Sequence, residues 1–193
     1  MANADALTGR TGPAEDRTVR LETPPARTLI SVRINPASDS RWIGEALQVQ
    51  WKPEPLKLHS EGEVRWWSTA PGVWLIDGPA DHEHALQQRL NVACTASHAM
   101  VTVISDAWGA VVLLGPESAL RDLFERAGPV GAEVLNGRCI TTRLGPFAAV
   151  LFEAAGRGAI SDPTLRRIEL RVERPLLESF RQWWIRLGVL PAA

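Results

Sequence analysis

Two hydrophobic periods meet between His98 and Gly128. Met100–Ser105 and Ala110–Leu114 are apolar runs separated by Asp106, Ala107, Trp108 and Gly109, which predicts a hairpin with Gly109 in its reversal. Gly115-Pro116 breaks the second run. Beyond it, Leu120, Leu123, Phe124 and Ala127 recur at helical spacing, with Glu117 in the first turn, where a carboxylate suits the helix dipole. Gly128-Pro129 ends that helix.

The same reading extends outward. Residues 1–26, rich in Ala, Thr, Pro and Arg, show no sustained apolar period and predict a mobile or partner-wrapped arm. Thr28–Ile34 is a strand, followed by a short helix carrying Trp42, Ile43, Ala46 and Leu47. Pro53 and Pro55 mark an irregular loop, after which Val64–Trp67 and Val73–Asp77 are extended. A helix from about Asp81 to Val92 turns Ala85, Leu86, Leu90 and Ala93 inward. Arg138–Leu144 and Phe147–Glu153 form a hairpin turned at Gly145-Pro146, and Gly156–Gly158 and Asp162-Pro163 read as loop and turn. In Leu165–Val172, Ile168, Leu170 and Val172 point one way and Arg167, Glu169 and Arg171 the other. Pro175 opens a last helix with a stripe of Leu176, Leu177, Phe180, Trp183, Trp184 and Leu187.

From Val73 the elements run strand, helix, strand, strand, helix, strand, with further strands and a helix after them. That order predicts an α+β fold: a βαββαβ ferredoxin-like unit extended by antiparallel strands and a C-terminal helix, with helices on one face. Residues 27–193 read as one domain. No internal sequence repeat is visible.

Composition narrows the function. A hydrophobic share of 45% is ample for a core, and the formal net charge of -1 argues against nucleic acid as a partner. No run approaches the ~20 apolar residues of a membrane span. The first residues lack the pattern of a secretory signal, so the chain is expected to be cytoplasmic, with Cys94 and Cys139 as buried thiols. Eight tryptophans without a tyrosine is unusual, and tryptophan is enriched both in cores and at interface hot spots.

A catalytic kit is hard to find. The chain holds neither a phosphate-binding glycine loop nor a G-x-S-x-G elbow. His82 and His84 flank Glu83, but residues two apart on a helix diverge by about 200° and do not share one ion. Arg166, Arg167, Arg171 and Arg174 make a positive streak, either a grip for an anionic ligand or a partner's acidic surface, or a solvated strand face with cross-strand ion pairs. Trp108 sits in the predicted turn, as a contact or as core. Of Trp183 and Trp184, about 100° apart, one is core and the other marginal. Trp108, Trp184, Arg167, Arg171 and Arg174 are therefore the interface candidates; catalytic, cofactor-binding and metal-binding residues are not expected in this chain.

With those motifs in order, the chain resembles the gamma subunit of heterotetrameric sarcosine oxidase and related N-methyl amino acid oxidases and dehydrogenases. The resemblance runs from Arg27 to about Leu187. It rests on RTLISVRINP, VWLIDGP, HAMVTVISDAWGAVVLLGPESALRDLF, RCITTRLGPFAAVLF and IELRVERPLLESFRQWW. Departures are STAPGVW before Leu75, Pro175 after the last strand's arginine, and AGPVGAE after the central helix.

The resemblance implies a fold similar to part of the folate-binding aminomethyltransferases and a non-catalytic, structural role. It implies a gamma chain packed on an alpha subunit, with beta and delta subunits in the same complex. FAD, FMN, NAD, tetrahydrofolate and zinc would then reside in those other subunits. An independent folate-binding aminomethyltransferase-like protein and a ferredoxin-like small-ligand protein are the alternatives.

Overall fold

The computed structural model describes residues 18–95, 98–128, 131–154 and 164–191. Two sheets are stacked, each with helices on its outer face, so the fold is α+β in four layers. In chain order the elements begin β1 (Arg20–Glu22), β2 (Arg27–Arg33), α1 (Arg41–Leu47), β3 (His59–Glu61), β4 (Val64–Ala70) and β5 (Val73–Pro79). There follow α2 (Glu83–Cys94), β6 (Met100–Val103), β7 (Trp108–Pro116), α3 (Glu117–Ala127), β8 (Ile140–Leu144) and β9 (Phe147–Glu153). The series ends with β10 (Leu165–Glu173), α4 (Leu177–Arg186) and β11 (Leu190–Pro191). One sheet has five strands, ordered β3-β4-β5-β2-β6, and the other six, ordered β11-β1-β7-β10-β9-β8.

The ferredoxin-like unit is present, but it starts earlier than the sequence reading placed it. It is β2-α1-β4-β5-α2-β6, whose strands lie in the order β4-β5-β2-β6 with antiparallel neighbours. β7-α3-β8-β9-β10-α4 builds the second sheet. β1 completes it antiparallel to β7, and β11 lies parallel to β1.

The predicted central hairpin does not form. β6 pairs with β2, Ile30 opposite Val103, whereas β7 pairs with β10 from Leu165↔Pro116 to Glu173↔Trp108. Between them Ser105–Ala107 is a single 3-10 turn that carries the chain from one sheet to the other. Gly109 is small for a different reason: a Cβ there would lie 2.7 Å from Leu177 Cδ2, so the glycine admits α4 rather than turning the chain.

Three cores follow from strand alternation. Ile30, Val32, Trp66, Trp74 and Ile76 face α1 and α2, meeting Ile43, Leu47, Leu86 and Leu90. Val111, Leu113, Leu151, Ile168 and Leu170 face α3 and α4, meeting Leu120, Phe124, Phe180 and Trp184. Leu29, Trp67 and Leu75 from the five-stranded sheet meet Cys139, Val150 and Phe152 in the seam between the sheets. Strands covered on both faces explain why TLISV and VWLI are almost uniformly apolar.

Smaller readings change as well. Val19 and Leu21, assigned to the N-terminal arm, are buried in the α3/α4 core, and Arg20–Glu22 is a strand because Leu21 has that core to enter. Residues 1–17 of the arm, the Gly156–Gly158 loop and the Asp162-Pro163 turn lie outside the described residues. Ala85 is exposed, leaving Leu86 and Leu90 as the buried face of α2.

Candidate functional site

The most concentrated chemistry lies in the seam. Asp77, on the inner face of β5, is fully buried. Its neighbour in register on β4 is Arg65, whose Nε and Nη2 donate to Asp77 Oδ1 and Oδ2, both at 2.9 Å. Arg27 from β2 and Arg171 from β10 donate to the same carboxylate. Glu169, two residues before Arg171 on the same strand face, accepts from Arg65 Nη1 at 2.9 Å and from Arg171 Nε at 2.9 Å. Three guanidiniums and two carboxylates thus bridge the sheets. Arg65 lies over Phe152 and Arg171 over Trp67, 5.2 and 5.6 Å from the ring centroids.

Burial by itself pushes the Asp77 carboxyl up. Arg171, Arg65 and Arg27 outweigh that and hold it below the usual carboxylate range. Burial likewise works against the Arg65 charge, and Asp77 and Glu169 more than restore it. A carboxylate locked in this state is no proton donor at neutral pH, and its oxygens are spent on arginines. The cluster is an internal clamp.

A second polar strap holds the crossing turn. Thr28 Oγ1 donates to Glu83 Oε2 at 2.7 Å, Ser105 Oγ donates to the same oxygen, and Leu29 N donates to Ser105 Oγ at 2.9 Å. From the other sheet, Arg174 Nη2 and Nε donate to the carbonyls of Ser105 and Asp106, each at 2.9 Å.

The interface candidates separate accordingly. Arg171 is buried in the clamp and Trp184 is fully buried against Phe124 and Phe180, so neither is a surface of this chain. Trp183 is the marginal member of its pair, half-buried over Phe147. Arg167 pairs with Glu22 at 2.6 Å, and Arg174 is exposed but committed to the crossing turn. Trp108 is half-buried at an open edge of the seam. Of the positive streak, Arg171 meets opposite charge on the second sheet, whereas Arg167 and Arg166 pair within their own sheet, with Glu22 and Glu153.

Asp77 and Arg65 were not singled out from the sequence. The available signal was a carboxylate at the end of VWLI, a strand apolar on both faces.

His59 stacks on Trp66, ring centroids 5.6 Å apart, and burial lowers its pKa. His82 and His84 are exposed, and among the described residues no group of three or more His, Cys, Asp or Glu could hold a metal ion. Cys94 and Cys139 are free thiols. Among the described residues no helix is long and apolar enough to cross a membrane.

Among the described residues the seam opens at two places. One cleft, about 370 Å³, is lined by Arg27, Arg65, Arg167 and Pro24. The other, about 470 Å³, lies beneath Trp108 and Met100.

No family model matches the chain, and no curated protein matches it. Among solved structures, heterotetrameric sarcosine oxidase from Corynebacterium sp. U-96 in complex with pyrrole 2-carboxylate contains a chain that is similar, with a TM-score of 0.72 and 19% identity. The match covers 90% of this chain and 85% of that one. Glycine cleavage system aminomethyltransferase T from Bartonella henselae is similar at a TM-score of 0.62 and 14% identity, over 86% of this chain. Our chain spans only 45% of the aminomethyltransferase. The fold is therefore the one shared by a sarcosine oxidase chain and part of an aminomethyltransferase.

Proposed function

We propose that this chain is a structural, gamma-type subunit of a heterotetrameric flavin-dependent oxidase or dehydrogenase of sarcosine or another N-methyl amine. The observation that carries the reading is end-to-end likeness: the match leaves only a small part of either chain unpaired, whereas the aminomethyltransferase extends well beyond it. The seam supports it as well. Where its two sheets meet, this chain directs its buried charges at each other. In this reading the chain packs on an alpha subunit, beta and delta subunits belong to the same assembly, and FAD, FMN, NAD, tetrahydrofolate and zinc reside in those other chains.

The test is purification of the tagged chain from its own cells, with mass spectrometry and a visible spectrum. Three companions and a flavin spectrum are expected, together with oxidation of an N-methyl amine. A colourless chain without companions, at normal expression and in low salt, would overturn the reading. A folate retained by that lone chain would replace it with the aminomethyltransferase-like alternative.

A further inference from the structure

The sheets do not cover each other completely. At one end of the seam the inner face of the five-stranded sheet is left open, and Arg33, Met100 and Val73 sit side by side there, Arg33 opposite both others in register. Met100 is 53% exposed. The floor of this opening is Leu75, Val150 and Trp108, the edge of the inter-sheet core, and the space is about 470 Å³. Arg33 is exposed, and its guanidinium makes no ion pair among the described residues. One wall is β6, which among the described residues is the last strand of its sheet and pairs on one side only, with β2.

We propose that this opening is the seat of a partner polypeptide segment, one that inserts an apolar side chain beneath Trp108 and Met100 and presents a carboxylate to Arg33. The inference rests on the subunit reading above and names where the partner sits. Three features select a polypeptide over a free small molecule. An edge strand offers backbone donors and acceptors to an extended chain. Tryptophan and arginine are the residue types that anchor protein contacts. A solvent-facing methionine on an apolar floor adapts to whatever side chain packs on it. Charge selects the sequence of the segment, because the unpaired cation favours an acidic residue beside the apolar one.

The test compares the tagged wild-type chain with Met100→Glu, Arg33→Glu and Val92→Glu, the last an exposed position on α2 as a control. Each is purified from the native cell, and companions are identified by mass spectrometry. Flavin absorbance per chain is expected to fall at least about tenfold for Met100→Glu and Arg33→Glu and to stay level for Val92→Glu. Circular dichroism and melting temperature of the isolated variants establish that they fold. If the wild type retains flavin-bearing companions and both seam variants retain them equally, the location is wrong and the subunit reading stands. If the wild type itself has none, the subunit reading fails, and this inference fails with it. A small molecule carried by the wild type and lost from Arg33→Glu in native mass spectrometry would overturn the polypeptide assignment.

Discussion

Arg171, on the six-stranded sheet, donates to the Asp77 carboxylate of the five-stranded sheet across 94 residues of chain. Asp77 is fully buried and Arg171 nearly so, and each serves as counter-charge to the other. Asp77→Asn keeps the volume and removes the charge, leaving Arg65 and Arg171 to share the Glu169 carboxylate in the seam. Breaking a buried pair in this way costs about 3–5 kcal/mol. Urea denaturation of the variant is expected to show that loss. A midpoint within error of wild type would mean the clamp contributes nothing. A double-mutant cycle with Arg171→Met is expected to show strong coupling, because both changes act on one contact.

The same pair gives stability a pH signature. Asp77 titrates below its ordinary 3.8 in the folded chain, because its arginines outweigh the effect of burial. The folded state thus favours the carboxylate. Its contribution is complete above the ordinary carboxylate range and is lost as pH falls through the lower, folded value. Wild-type stability is expected to drop steeply below about pH 4, and the drop is expected to be shallower in Asp77→Asn. Identical acid limbs would assign acid unfolding to other carboxylates.

This clamp also shows what a sequence can and cannot specify. Alternation in β10 correctly separated Ile168, Leu170 and Val172 from Arg167, Glu169 and Arg171. It could not say whether the charged side meets water or a second sheet carrying Asp77 and Arg65, since both give the same period. The central strands were legible for the same reason that their pairing was not: Met100–Val103 and Ala110–Leu114 have the pattern of strands, but pairing is set by distant partners β2 and β10. Helices α3 and α4 were legible because each has an apolar stripe and a proline just before it, Pro116 at the end of β7 and Pro175 in the 3-10 turn after β10. β1 was missed because three residues around Leu21 are too few for any period to register.

Glu83 is expected to matter for stability although it lies outside the cores. It accepts from Thr28 and Ser105, and Thr28 is buried. Those hydrogen bonds hold the Glu83 carboxyl below its ordinary range. Glu83→Ala leaves the Thr28 hydroxyl and the strap on the crossing turn short of an acceptor, a loss of about 1–3 kcal/mol. Glu83→Gln keeps an acceptor and is expected to retain most of the stability in the same thermal melt. Equal losses from both variants would point to the charge at the start of α2 instead.

Gly145 couples the β8–β9 turn to the last helix. Its φ is +53°, and a Cβ built there would lie 2.7 Å from Trp183 Cζ2. Gly145→Ala therefore incurs left-handed strain and a clash with a large ring together, about 2 kcal/mol or more. Tryptophan fluorescence is expected to shift as Trp183 is displaced, with a lower melting temperature. An unchanged spectrum and melt would mean that the turn relaxes without moving α4.

Finally, the two cysteines are expected to differ sharply in reactivity. Cys139 lies in the seam, where burial pushes its thiol up to about 12 against a smaller opposing pull from Arg171. The thiolate is the nucleophile, so at pH 8 Cys139 stays almost wholly in its unreactive thiol form. Cys94 is partly exposed near the end of α2, its Sγ donating to the Asn91 carbonyl. A chromogenic disulfide reagent should thus titrate one thiol per folded chain promptly, and two in denaturant. Cys94→Ser should abolish the native reaction and leave one thiol in denaturant. Rapid native labelling of Cys139 would mean that the seam opens to solvent, and the clamp of Asp77, Arg65 and Arg171 would have to open with it.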